Sequence, residues 1–337
     1  MDTKHKQQYA TAAERGLQWI VQNMNDNGSL RGASSLDAYY KAPVALAEAG
    51  WKREANLIMN WIIASYASGD GYYKDVATVP QSTRRADLYQ TLWIAWGANI
   101  LERHEIANEA LAYAIRYLDP TDGGFYSLTT GDYGAQGKDL RSTALAGLVS
   151  AVMGRMDYAV AAASFVISLL NSQPQLESQS FFLVCDRSGN VVTSFPSESE
   201  RYFVINGEQA RPLYYALGLA VAFLAKLALL TSDRQYLSAA RAYVDVCASY
   251  GHRLLRHDYA GKLAWGLALI YAQTGERILD VRLVEICDYL CSLQQPRGEW
   301  SASFLPSMEV AKLGHANLSY DRTAEYSLWL TYVTQGY

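Results

Sequence analysis

The chain has 337 residues, half of them hydrophobic and 18% charged, with a formal net charge of −4 at pH 7. That is ample apolar material for a large core, and so small and scattered a charge excludes a nucleic-acid binder or a polybasic membrane surface. Cys185, Cys247, Cys287 and Cys291 lack the spacing of a zinc knuckle and read as buried free thiols of a reducing compartment.

Met1 to Gln8 is polar, without the apolar stretch of a secretory signal, so a cytoplasmic location is expected. Two kinds of helix then alternate. Amphipathic segments carry the charge: Ala12 to Met24, Lys52 to Tyr66, Glu105 to Tyr117, Asp157 to Leu170, Gln235 to Ser249 and Asp280 to Leu293. Between them lie segments that are apolar nearly all round, beginning near Asp37, Asp87, Asp139, Glu208, Asp258 and Asp321. The period is near 50 residues, and a lone helix pair cannot bury its own apolar face. Six inner and six outer helices predict an all-α (α/α)6 barrel in one domain, residues 1–337. Asp26-Asn27-Gly28, Ser68-Gly69-Asp70-Gly71, Asp122-Gly123-Gly124 and Pro296-Arg297-Gly298 supply the outer-to-inner turns. Leu213 to Leu230, interrupted by Lys226, reads as a buried helix and not a membrane span. The insertion at 181–206 alternates like a β-hairpin, turns at Asp186 to Asn190, and is expected over one barrel mouth as a lid or a brace.

In such a barrel the inner helices point their N-termini at one mouth, where side chains and helix dipoles converge. Asp87, Asp139 and Asp258 are the acids expected there, although Asp is also a favoured N-cap. Tyr39, Tyr40, Tyr89, Trp93, Tyr214, Trp265, Trp300 and Tyr326 offer ring faces for a cation or a sugar. Arg141, Arg211 and Lys262 fall within apolar helix starts and could hold an anionic group. His257 adjoins Asp258. No nucleophile elbow, phosphate loop or metal motif appears, and no cofactor is expected.

Gln18 to Gly28, Gly123 to Gly147 and Gln294 to Trp300 resemble the glutamine–tryptophan repeats of the squalene–hopene and other class II terpene cyclases. The stretches Trp93 to Ala98, Gly261 to Gly266 and Thr323 to Tyr326 extend the resemblance to nearly the whole chain, in the manner of the single-domain α/α toroids of that superfamily. The resemblance implies metal-independent, protonation-initiated cyclisation of a prenylated aromatic or linear polyprenyl substrate. It also implies transient contact with a membrane surface, from which a lipophilic substrate is taken. The family's Asp-x-Asp-Asp-Thr-Ala stretch matches Asp139 to Ala144, with Arg141 at the place of its proton donor, and Tyr89 takes that place in the Asp87 stretch. The acid would then be another mouth carboxylate: Asp87 first, then Asp139 or Asp258. A carbohydrate-active (α/α)6 hydrolase, lyase or epimerase is the alternative, since paired carboxylates and stacking aromatics suit it equally. A catalytically silent scaffold is the third reading. The oligomeric state is left open.

Overall fold

A computed structural model describes residues 1–73, 87–127, 137–174 and 179–335. The helices in chain order are α1 (Thr3–Gln22), α2 (Ala42–Glu48), α3 (Lys52–Tyr66), α4 (Asp87–Ile100) and α5 (His104–Ile115). They continue with α6 (Leu140–Val152), α7 (Met156–Asn171), α8 (Glu200–Phe203), α9 (Tyr215–Thr231), α10 (Arg234–Ser249) and α11 (His252–Leu255). The series ends with α12 (Gly261–Thr274), α13 (Arg277–Ser292), α14 (Ser307–Leu313) and α15 (His315–Gln335). Short strands β1 (Lys138–Asp139), β2 (Ser180–Phe182), β3 (Val184–Cys185) and β4 (Val204–Asn206) complete the set. Among the described residues, no helix is long and apolar enough to cross a membrane.

The chain forms two compact units, one of Met1–Pro80, Gln90–Ala114 and Cys287–Gly336, the other of Gln81–Tyr89 and Ile115–Ile286. In the first, α15 packs on α1 and α2, and α2 on α3, so the C-terminal helix closes against the N-terminal one. In the second, α9 packs on α6, α10 and α12, and α6 on α7. The burial pattern follows the sequence pattern. Every residue of α6 from Leu140 to Ala151 is buried, whereas α10 buries only Ala240, Tyr243, Val244 and Cys247 on one stripe. Small residues let the inner helices approach closely: a Cβ on Gly218 would stand 2.6 Å from the Leu263 backbone nitrogen.

One turn geometry recurs in both units. Gly28, Gly71, Gly123 and Gly298 all have positive φ, and a Cβ on each would meet a backbone carbonyl oxygen of another outer helix, those of Leu57, Glu109, Ala161 and Arg15. Two residues on, the backbone N–H of Tyr73, Phe125 and Trp300 donates to the hydroxyl of Thr91, Thr143 and Thr323 on an inner helix, at 3.3, 2.9 and 3.0 Å. Leu30 donates to the Tyr39 hydroxyl in the same place, at 3.1 Å. Glycine is therefore required twice over, by conformation and by contact. Gly123→Ala, with φ +82 and a Cβ 1.9 Å from the Ala161 oxygen, is expected to cost about 3 kcal/mol or more. Gly50→Ala, at φ +86 with no atom within 4 Å, is expected to cost about 1–2 kcal/mol. Denaturant midpoints of the two variants check the difference, and equal losses would refute the contact.

The insertion is stapled down, not free-standing. β2 pairs antiparallel with β4, joining Phe181 to Ile205, and β3 pairs with β1, joining Val184 to Asp139. The tip expected at 186–190 is present as a turn, with Asp186 N–H bonded to the Asn190 carbonyl at 2.8 Å and a single bridge from Cys185 to Val191.

Two inner-helix starts differ from the sequence reading. Glu208 is exposed and belongs to the turn after β4, and α9 begins only at Tyr215; Pro212 sets the residues before it away from helical backbone. Asp321 lies inside α15, which starts six residues earlier, directly after Gly314 at φ +85 ends α14.

Candidate active site

Polar groups buried among apolar inner helices cost free energy unless they are satisfied, so the buried charges mark the places worth reading chemically. In the second unit they gather at the starts of α6, α9 and α12. Asp139 is the N-cap of α6: Oδ1 accepts the Ser142 N–H at 2.7 Å, and Oδ2 accepts Arg141 Nη2 at 2.6 Å. Both oxygens of this fully buried carboxylate are thereby engaged. Burial works against the Arg141 charge, yet the neighbouring Asp139 and Tyr215 hold its pKa above the ordinary arginine value. Burial raises the Tyr215 pKa, against the pull of Arg141.

Tyr215 is the hub of the cluster. The Lys262 ammonium lies 5.2 Å from its ring centroid, and the rings of Tyr89 and Tyr259 meet it edge-on at 6.2 and 5.2 Å. The Arg211 guanidinium stacks 4.6 Å from the Tyr259 ring and is ion-paired to Asp258. His257 Nδ1 stands 3.0 Å from the Tyr259 backbone nitrogen and 3.0 Å from Asp258 Oδ1. Tyr214 packs edge-on to His257 at 5.2 Å, and Trp265 is buried in α12. From the insertion, Tyr202 lays its ring 5.8 Å from the Arg141 guanidinium.

A second cluster belongs to the first unit. Lys41, 4% exposed, is ion-paired to Asp321 at 2.8 Å and to Glu325, and stands 5.1 Å from the Tyr40 ring centroid. Arg322 approaches Glu325 at 3.6 Å, and Trp329 Nε1 donates to it at 3.3 Å. Asp37 accepts Gln90 Nε2 at 2.8 Å. Trp93 stacks on Trp96 at 5.1 Å, with Tyr40 and Trp329 edge-on to it. Tyr39 is buried with its hydroxyl spent on the Leu30 turn. Trp300, also fully buried, donates Nε1 to the Leu290 carbonyl at 2.6 Å and packs edge-on to Tyr326.

Of the residues singled out from sequence, the second unit thus brings together Asp139, Asp258, Arg141, Arg211, Tyr89, Tyr214 and Trp265. The first unit holds Tyr39, Tyr40, Trp93, Trp300 and Tyr326. Asp87 is the first residue of α4, and its side chain lies outside the described residues. Lys41 and Glu325 carried no sequence signal of their own, because a lone Lys after two tyrosines and a lone Glu in an apolar helix each read as solvated positions. Tyr202 was likewise invisible, being placed by the β2–β4 ladder. Among the described residues, no group of three His, Cys, Asp or Glu side chains could hold a metal ion.

Beside this site lies a purely structural ion cluster. Lys138, 1% exposed, donates to Asp119 at 2.9 Å, to Asp122 at 2.6 Å and to the Arg187 carbonyl at 3.2 Å. It ties the Gly123 turn, β1 and the insertion tip together. Burial alone would raise the Asp119 pKa, but Lys138, the Thr121 N–H and Tyr126 hold it well below the usual carboxylate range. A carboxylate with a depressed folded-state pKa stabilises above its unfolded value, and that contribution is lost as pH falls through the acid range below about 4. Lys138→Met should therefore cost about 3 kcal/mol at pH 7, with the gap to wild type narrowing toward pH 2 in parallel denaturant titrations. A gap that does not change with pH would refute the assignment.

No family model matches the sequence, and no curated protein matches it. Solved structures do. D-mannose isomerase superposes with a TM-score of 0.65 at 11% identity, over 97% of each chain. An inactive variant of the α-1,6-mannanase of Salegentibacter sp. HEL1_6, with two consecutive aspartates replaced and mannotetrose bound, gives 0.64 at 11% identity over 98% and 99%. Unsaturated glucuronyl hydrolase specific for heparin gives 0.62 at 9% identity over 96% and 97%. These likenesses show the fold, the all-α (α/α) toroid, here with small two-stranded ladders added. They overturn the terpene-cyclase resemblance and what rested on it, namely cyclisation of a prenylated substrate. The neighbours are carbohydrate-active enzymes, and two of their structures hold mannotriose and mannotetrose. Asp139, in the stretch that matched the cyclase motif, commits its two oxygens to a helix N-terminus and a guanidinium.

Proposed function

We propose that this protein is a carbohydrate-active enzyme, and within that class a sugar isomerase or epimerase. The observation that carries this reading is the cluster around Tyr215, in which Arg141, Arg211, Lys262, Asp258 and His257 surround the rings of Tyr215 and Tyr259. A sugar offers hydroxyls to such charges and a C–H face to such rings. Isomerisation at C1–C2 passes through an enediolate, and fixed cations stabilise developing oxyanion charge. Arg141, Arg211 and Lys262 are the groups for that role. Asp258 and His257 are the groups for the proton transfers. The sequence holds no two adjacent acidic residues, which weighs against the consecutive-aspartate arrangement replaced in the inactive mannanase variant. Four free cysteines, three of them buried, support a reducing, cytoplasmic setting.

Purified protein incubated with D-mannose, with other free aldoses and with manno-oligosaccharides, and analysed by anion-exchange chromatography, tests the reading. A new monosaccharide at constant total sugar is the expected result. Shortened oligosaccharides would transfer the site to hydrolysis. No change in any substrate would overturn the proposal.

A further inference from the structure

A separate cavity opens on the other side of α12. Its volume is about 180 Å³, and it lies among α10, α11, α12 and α13. Val244, Ala248, Leu255, Leu263 and Leu267 make apolar walls, and the buried Cys247 adds its thiol. At the rim stand His252 and Arg282. His252 is committed to Glu285 at 2.6 Å, and Arg256 satisfies the same carboxylate at 2.8 Å. Arg282, one turn before Glu285 on α13, makes no ion pair or hydrogen bond among the described residues. An apolar cavity of about 150 Å³ is large enough to hold benzene, so this one has room for a small ring or a chain of about six carbons.

We infer that this cavity is a binding site for a small apolar monocarboxylate, of the size of benzoate or hexanoate, with the carboxylate on Arg282 and the apolar part against Leu263 and Leu267. The three features select one class together: the volume sets the size, the leucines exclude a polyol, and the uncommitted guanidinium selects an anion over a neutral hydrocarbon. The site is distinct from the sugar-binding cluster and does not depend on it. Leu263 follows Lys262 directly, so an occupant would press on the same turn of α12 that carries a proposed sugar contact.

Isothermal titration of the full chain with benzoate, and with toluene as its neutral counterpart, tests the inference. Benzoate is expected to bind saturably with a Kd of about 1 mM or tighter, in keeping with so small a ligand. Toluene should bind more weakly. Arg282→Leu, a substitution at a partly exposed position, should weaken benzoate about tenfold through the lost charge-assisted contact and leave toluene unchanged. Ala248→Phe should fill the cavity and remove both. No saturable benzoate binding by wild type, equal affinity for benzoate and toluene, or an Arg282→Leu protein that binds benzoate as wild type does would each overturn it. The Arg282→Leu arm stands by itself should Ala248→Phe fail to fold.

Discussion

Lys41→Met should lower the stability of the protein by about 3–5 kcal/mol, the loss expected when a buried ion pair keeps its anions and loses its cation. Asp321 and Glu325 both depend on the Lys41 ammonium, and Glu325 is 3% exposed. Removing that ammonium leaves two carboxylates one helical turn apart on α15, with Arg322 3.6 Å from Glu325. Against a total of about 5–15 kcal/mol for a typical domain, that is a large fraction. Adding Asp321→Asn and Glu325→Gln to the same chain removes the stranded charges, so the triple variant should recover a large part of the loss. Urea midpoints of the single and triple variants check this. A triple variant less stable than Lys41→Met would show that the carboxylates are held by something other than the lysine.

The second expectation concerns activity. Arg211→Gln should lower kcat/KM on the sugar substrate by about 10²–10³-fold, the usual loss when a fixed donor at developing negative charge is removed. On its own the variant also strands Asp258, which is 7% exposed, so a fall in activity could be confused with a fall in stability. The double variant Arg211→Gln/Asp258→Asn separates them. It removes both charges together, so no buried charge is left uncompensated. The double variant should melt near wild type and remain as inactive as the single one. A double variant with near-wild-type kcat/KM would remove Arg211 and Asp258 from the site.

Much of the fold was legible in the residues because its rules are local and repeated. Turn glycines two positions before Leu30, Tyr73, Phe125 and Trp300 have one geometry throughout, and the Asp/Asn-Gly signature that three of them carry is short-range. The alternation of all-round apolar and striped helices is likewise a local pattern, and it survives as burial in α6 and α10. The starts of α9 and α15 were misplaced because Glu208 and Asp321 look like N-caps, and only the β2–β4 ladder and the break at Gly314 show that they are not.

Function was misread for a related reason. The glutamine, glycine and aromatic residues that suggested a terpene cyclase are consumed in holding helix hairpins together. Gln294 donates to the Ala12 and Gly298 carbonyls at 2.8 and 2.7 Å, and Trp300 donates to Leu290. They report how a toroid is packed, not what it converts. The charged residues of the site were visible one at a time, but Arg141 on Tyr215, Arg211 on Asp258 and Lys41 between Asp321 and Glu325 join positions far apart in the chain. Without the fold, each of them reads as a neutraliser of a nearby cap.

The most direct test of the account is a proton-exchange measurement on [1-¹³C]-D-mannose in D₂O, followed by NMR with purified protein. New ketose or epimer resonances are expected, with deuterium appearing at C2 of recovered mannose, and both should be lost in Arg211→Gln/Asp258→Asn. Unchanged mannose spectra with no deuterium at C2, together with the same null result for the other free aldoses, would contradict it.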